Sequence, residues 1–181
     1  MPVEQANVTL DPDTAHPDFT LSEDRKSARC GDVRKDLPDN PERFDAKYCV
    51  LGCEGFTTGR HYWEVEMQES RHWIVGVARE SVKRKGWFCF NPEEGIWAVG
   101  QRGDQCQAYT SPETLLSLSS HLKRIRLFLD CTGGQVAFFN ADTGASIFTF
   151  PPVSFPQERI RPWFWVGIGS QITLFPLRDV E

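Results

Sequence analysis

The chain has 181 residues, 40% hydrophobic and 12% aromatic, with six Trp and thirteen Phe against two Met; that length fits one all-β domain, and flat aromatics suit pleated sheets better than helices. A formal net charge of −5 provides no global field toward nucleic acid or an anionic membrane. No apolar run approaches the roughly 20 residues that span a bilayer, and the start MPVEQANVTL lacks the charged-then-apolar order of a signal peptide, so the expectation is a soluble, cytoplasmic domain or a soluble piece of a larger protein.

In chain order, Val8-Thr9-Leu10 predicts a short strand stopped by Asp11-Pro12-Asp13, where Pro fixes φ and Asp bonds the local backbone. His16-Pro17 punctuates again before strands at Phe19-Thr20-Leu21 and Ser27-Ala28-Arg29-Cys30. DLPDNPERFD, from Asp36 to Asp45, has two prolines and no periodicity, and reads as an ordered loop anchored by Leu37 and Phe44. Tyr48 to Leu51 leads into Gly52 to Met67, where Trp63, Val65 and Met67 alternate with Glu64 and Glu66 as in a half-buried strand. After the polar turn Gln68-Glu69-Ser70-Arg71, Trp73 to Val77 predicts an antiparallel partner closing a hairpin.

Eight further strands are expected at Trp87–Phe90, Ile96–Val99, Gln105–Tyr109, Ile125–Asp130, Gln135–Asn140, Ser146–Phe150, Trp163–Ile168 and Ile172–Phe175. Asn91-Pro92, Gly103-Asp104, Gly133-Gly134 and Gly144 are turn signals between them. One helical turn is expected within Ser111 to Leu122, started by Pro112-Glu113. About thirteen strands with no long helix mean a two-layer sandwich. The six cysteines are too dilute for a disulfide scaffold, and several sit in apolar patterns such as Phe88-Cys89-Phe90, so they read as reduced thiols acting as small hydrophobes.

Leu10-Asp11-Pro12, Trp63-Glu64-Val65-Glu66 and Leu129-Asp130 before a Gly turn together resemble the marker motifs of PRY-SPRY domains, found in tripartite-motif ubiquitin ligases and butyrophilins. Leu21-Ser22-Glu23-Asp24, Asp39 to Phe44, Gly59 to Trp63 and Arg84-Lys85-Gly86 support the resemblance, which runs from about Val8 to Pro176. It departs at Cys131, where the family usually has Tyr, and at Met67 in place of Val; both are compatible with strands. The resemblance implies a bent two-sheet antiparallel β-sandwich of jelly-roll type with little helix. Residues 1–55 would be the PRY segment and 56–181 the SPRY segment of one globular domain. It also implies a non-enzymatic module that binds a protein or peptide through a loop-lined groove and recruits substrate at the C-terminal end of a ligase. The isolated domain would be monomeric, within a parent dimerised through a coiled coil outside this chain.

No nucleophile or acid–base motif such as G-x-S-x-G or H-E-x-x-H is present, so no catalytic residue is expected. Cys49, Cys53 and His61 fall short of a structural zinc site, which takes four ligands at closer spacing; no metal or cofactor is expected. His61 reads as a packed strand residue and His72 as a loop residue open to ligand. Glu64 and Glu66 read as a solvated or sheet-facing pair, and Lys83-Arg84-Lys85 as a solvated turn, with an acidic partner surface second. Trp163-Phe164-Trp165 places two indoles on one face and Phe164 on the other.

Carried over from the resemblance, the groove falls on Lys47, His72, Ile74, Phe90, Gly100, Arg102 and, at the two ends of the stretch from Trp165 to Ile168, on Trp165 and Ile168. Apolar and cationic residues together suit a peptide with an apolar anchor and an acidic or free carboxyl end, which Arg102 grips with two prongs. A butyrophilin-like pocket for phosphorylated small molecules is the alternative. Its His, Lys and Arg cluster would fall on the neutral Ile74, Cys89 and Gln107, which cannot balance a pyrophosphate. A carbohydrate-binding sandwich would lean on Asp104, Asn140 and Trp165, a weaker constellation.

Overall fold

The computed structural model describes residues 2–67, 70–118, 122–155 and 157–177. Among them are fourteen strands: β1 Val3–Gln5, β2 Phe19–Leu21, β3 Ser27–Cys30, β4 Cys49–Leu51, β5 Arg60–Glu66, β6 His72–Arg79, β7 Ile96–Arg102, β8 Gln105–Ala108, β9 Thr114–Leu116, β10 Arg124–Asp130, β11 Gln135–Asn140, β12 Ser146–Thr149, β13 Ile160–Val166 and β14 Gln171–Leu174. Helical structure among the described residues is confined to a 3-10 turn at Pro92–Glu94, where the Asn91 side chain accepts from the Glu94 N–H and Gly95 closes at φ 84°.

The strands form the expected all-β, two-sheet antiparallel sandwich. An eight-stranded sheet runs β12-β11-β10-β5-β14-β3-β2, with β1 added parallel to β5, and a six-stranded sheet runs β4-β13-β6-β7-β8-β9. Alternation sets what lies between them. Trp63 and Val65 of β5 and Ile125, Leu127 and Leu129 of β10 enter the core from one side, and Trp73, Val75, Val77, Phe164 and Val166 from the other. Truncating one of these buried aromatics would remove about 3–5 kcal/mol.

The expected hairpin does not form. β5 pairs with β10, β14 and β1, whereas β6 pairs with β13 and β7, so the chain passes from one sheet to the other between Met67 and His72. Side by side, the two apolar faces would need a third layer to cover them; facing each other across the sandwich, they cover one another. Gln68 and Glu69 of the expected turn lie outside the described residues.

Three other expectations are corrected. Trp87–Phe90 makes no strand: Phe88 and Phe90 fold down over the outer face of the six-stranded sheet, leaving Cys89 exposed. The segment expected to hold a helical turn instead contains β9, because pairing of Thr114, Leu115 and Leu116 with Ala108, Gln107 and Cys106 takes up the backbone; residues 119–121 lie outside the described set. Val8–Leu10 makes only the Leu10–Gly52 bridge, while the first strand lies earlier, at Val3–Gln5.

Charge pairing ties the sandwich together. Glu64 is 2% exposed rather than solvated, and the Arg126 Nε donates to its Oε2 at 2.6 Å. Arg161 is buried and donates to the Gly52 carbonyl, to Glu80 and to Asp11, each at 2.9 Å, joining the first fifty residues to β13. His61 packs as expected, its ring stacked 4.0 Å from that of Phe56. The six cysteines are all unpaired thiols, with Cys30 and Cys49 fully buried.

Candidate ligand-binding pocket

The residues that alternate away from the core build a second apolar layer. In β6, Ile74 and Ala78 face outward, as do Ile96 and Ala98 in β7 and Trp163 and Trp165 in β13; Phe164 points inward, as the pattern predicts. Such a face must be covered. Phe44, Val82, Phe88 and Phe90 descend on it from the loops, with Phe90 edge-on to Trp163 at 4.9 Å and to Tyr109 at 6.1 Å. Where this cover stops, a pocket of about 290 Å³ opens.

Ile74 and Trp165 line the pocket along with residues 88–91 and 109–113, and Lys47 and Arg102 are its two cations. Both cations rest on aromatic faces: Lys47 Nζ is 4.6 Å from the Trp87 ring centroid and 4.8 Å from that of Phe90, and Arg102 Cζ is 6.0 Å from Trp165. Neither belongs to an ion pair among the described residues. Burial pushes the Tyr109 phenol above its ordinary pKa, so it stays protonated, and it accepts from the Gln107 side chain at 2.8 Å. Gln107 is thereby engaged outside the pocket lining. Among the described residues no group of three or more His, Cys, Asp or Glu is placed to hold a metal ion.

Five of the eight residues singled out from sequence, Lys47, Ile74, Phe90, Arg102 and Trp165, line this one pocket. The other three flank it. His72 is not in a loop: it opens β6, exposed and paired in register with Arg102. Gly100 pairs with Ile74 and lies beneath the lining; a Cβ there would meet Ile74 Cγ1 and the Trp73 carbonyl, each at 2.7 Å. Ile168 is 55% exposed just beyond β13, next to Gly167, whose N–H donates to the His72 carbonyl. Sequence reasoning missed the wall formed by Tyr109 to Glu113, although Ser111-Pro112 marked a break in the chain there.

Lys83 of the basic turn is exposed, as expected of a solvated turn, but its two neighbours are engaged. Arg84 is partly buried and donates to the carbonyls of Glu42, Glu80 and Val82; Lys85 donates to the Asp39 carboxylate and the Asn40 carbonyl at 2.7 Å; and the Gly86 N–H reaches Asp45 at 2.8 Å. These bonds staple the loop at residues 39–45 to the segment carrying Trp87, Phe88 and Phe90, so the first fifty residues help to place the pocket wall.

Family models match nearly the whole length, PRY (SPRY-associated domain) over residues 8–56 and the SPRY domain over residues 60–178. The chain is a PRY-SPRY domain. It is 48% identical over 162 residues to butyrophilin subfamily 2 member A2 of Mus musculus and of Homo sapiens, which covers 90% of this chain and 31% of each relative. Against butyrophilin subfamily 1 member A1 of Homo sapiens identity is 45% over 175 residues, 96% of this chain and 33% of the relative. This PRY-SPRY domain therefore spans about a third of the length of the curated relatives it matches. Among solved structures, the stonustoxin structure matches with a TM-score of 0.83 at 29% identity, over 95% of this chain and 27% of that one. The TRIM65 PSpry domain matches with a TM-score of 0.83 at 23% identity, over 96% of this chain and 91% of that one, which establishes shared fold. The domain is thus a protein-interaction module of the SPRY type that butyrophilins share.

Proposed function

We propose that this PRY-SPRY domain recognises a protein partner by taking a short peptide segment into the pocket on the outer face of its six-stranded sheet. The supporting observation is the convergence of Lys47, Ile74, Phe90, Arg102 and Trp165 on one concavity with an apolar aromatic floor and two cations that lack ion-pair partners among the described residues. An apolar side chain fits the floor, and a carboxylate, from an acidic residue or a chain terminus, suits Arg102 and Lys47. At about 290 Å³ the pocket lies at the small end of ligand sites, the size of one or two side chains.

The relatives at 45–48% identity are butyrophilins, so the parent protein in this reading is butyrophilin-like, and delivery of substrates for ubiquitin transfer is set aside. Those relatives, with the two pocket cations, also favour a second reading, a small phosphorylated ligand. The neutral side chains of Ile74 and Cys89 in the lining count against it. Thermal-shift measurements with inorganic pyrophosphate and with pooled peptides bearing free C termini separate the two. Stabilisation by peptide pools, lost in Phe90→Ala and Arg102→Glu, is expected; stabilisation by pyrophosphate alone would overturn the peptide reading.

A further inference from the structure

Beside the pocket lies a second hollow of about 570 Å³, bounded by Pro17, the loop at residues 34–39, Ala46 and Gly86-Trp87. The two share a wall. Ala46 lines the hollow and Lys47 the pocket, just as Trp87 lines the hollow and Phe88 the pocket, and the Lys47 ammonium sits against the Trp87 ring at 4.6 Å. Trp87 is 74% exposed, a large apolar ring at the boundary between the two concavities, and exposed Trp in such a setting is a common anchor for partners.

Charge accounting gives the boundary a polarity. In the hollow, Asp39 is taken by Lys85, Asp45 accepts from the Gly86 N–H, and Arg43 donates to the carbonyls of Pro12, Ala15 and Pro38. The Arg34 side chain has no hydrogen-bond or ion-pair partner among the described residues, and the Lys35 ammonium has only the Thr20 hydroxyl. With Lys47 and Arg102, four cations that belong to no ion pair among the described residues line the two concavities, against the carboxylates of Asp36 and Glu113. On a protein of net charge −5, this strip is locally positive.

We propose that the pocket and the hollow form one channel for an extended acidic segment of a protein partner, which crosses the sheet face over Trp87. This rests on the peptide reading of the pocket and extends it. Carboxylates of the segment meet Arg102 and Lys47 at one end and Arg34 and Lys35 at the other, and an apolar side chain between them lies on the free face of Trp87. One small pocket gives a peptide little to hold; two concavities with a shared wall supply the length and charge that make an acidic sequence selective.

The test is selection of a displayed library of random 16-residue peptides with free C termini on the wild type. Affinities of the enriched peptides are then measured by fluorescence anisotropy for wild type, Arg34→Glu/Lys35→Glu, Trp87→Ala and Arg102→Glu. Arg34 and Lys35 are exposed, so their reversal leaves folding intact, with thermal melting as the check. The enriched peptides should carry acidic residues on both sides of an apolar one. The double reversal and Arg102→Glu should each weaken binding about tenfold or more, and Trp87→Ala about fivefold or more. Losses below twofold in the double reversal or in Trp87→Ala, beside a large loss in Arg102→Glu, would overturn the channel and leave the pocket reading standing. Indifference to Arg102→Glu, or no enrichment on the wild type, would overturn both.

Discussion

Arg161 and Asp11 are 150 residues apart in sequence and 2.9 Å apart in space, guanidinium Nη2 to carboxylate Oδ2. The pair spans the PRY segment and the penultimate strand, and Arg161 is 7% exposed at its side chain. Arg161→Ala would leave the Gly52 carbonyl and two carboxylates without their donor and should cost about 3 kcal/mol. Asp11→Asn leaves Arg161 balanced by Glu80 and should cost about 1 kcal/mol. Urea unfolding reads both values. Equal stability of Arg161→Ala and wild type would refute the role given to this clamp.

Gly100 is required by closeness, not by turn geometry. A methyl at this position would press on the Trp73 carbonyl and Ile74 Cγ1, and strand backbone yields poorly. Gly100→Ala should therefore lose about 1–3 kcal/mol and shift Ile74 in the pocket lining. Wild-type stability in this variant would show that the β6–β7 pair relaxes freely.

His16 is 3% exposed, and its Nδ1 accepts from the Asp18 N–H. Burial lowers its pKa below 6.5, Asp18 opposing this and Arg34 adding to it. A base with a depressed folded pKa binds protons preferentially in the unfolded chain. Its contribution is intact above pH 6.5 and is lost as the pH falls from there toward the folded pKa. Stability of the wild type measured from pH 7.5 to pH 5 should fall more steeply than that of His16→Gln; parallel curves would remove His16 as the cause.

The thiols should react in a set order. Cys89 is exposed in the pocket lining, whereas burial, with Asp18 adding, raises the Cys30 thiol to about 12, and burial, with Asp130 adding, raises that of Cys131 to about 11. Limiting iodoacetamide followed by peptide mass mapping should find Cys89 modified first and Cys30 and Cys49 last. Early labelling of Cys30 would contradict the packing described.

The strands and their faces were legible because burial writes itself as period-two alternation, as in Trp63 to Met67 and Trp163 to Trp165. Which strands pair was less legible. A turn of a few residues between two alternating runs reads as a hairpin, yet β5 and β6 lie in opposite sheets because each needs the other's apolar face across the core. Aromatic alternation also misled at Trp87–Phe90, where Phe88 and Phe90 cover a second apolar layer without pairing. Five pocket residues were reachable through the family resemblance, whereas the wall at residues 109–113 depends on how β8 turns into β9 and is not encoded in any local period.

The most direct test of the peptide-recognition pocket follows the indole N–H signals of the six tryptophans by two-dimensional NMR while a peptide selected on the wild-type domain is titrated in. Trp165 lines the pocket and Trp87 stands on its rim, while Trp63, Trp73 and Trp97 are buried between the sheets. The Trp165 and Trp87 signals should move in proportion to occupancy, with the three core indoles nearly still. Movement of the core indoles with Trp165 and Trp87 unchanged would place binding elsewhere on the sandwich.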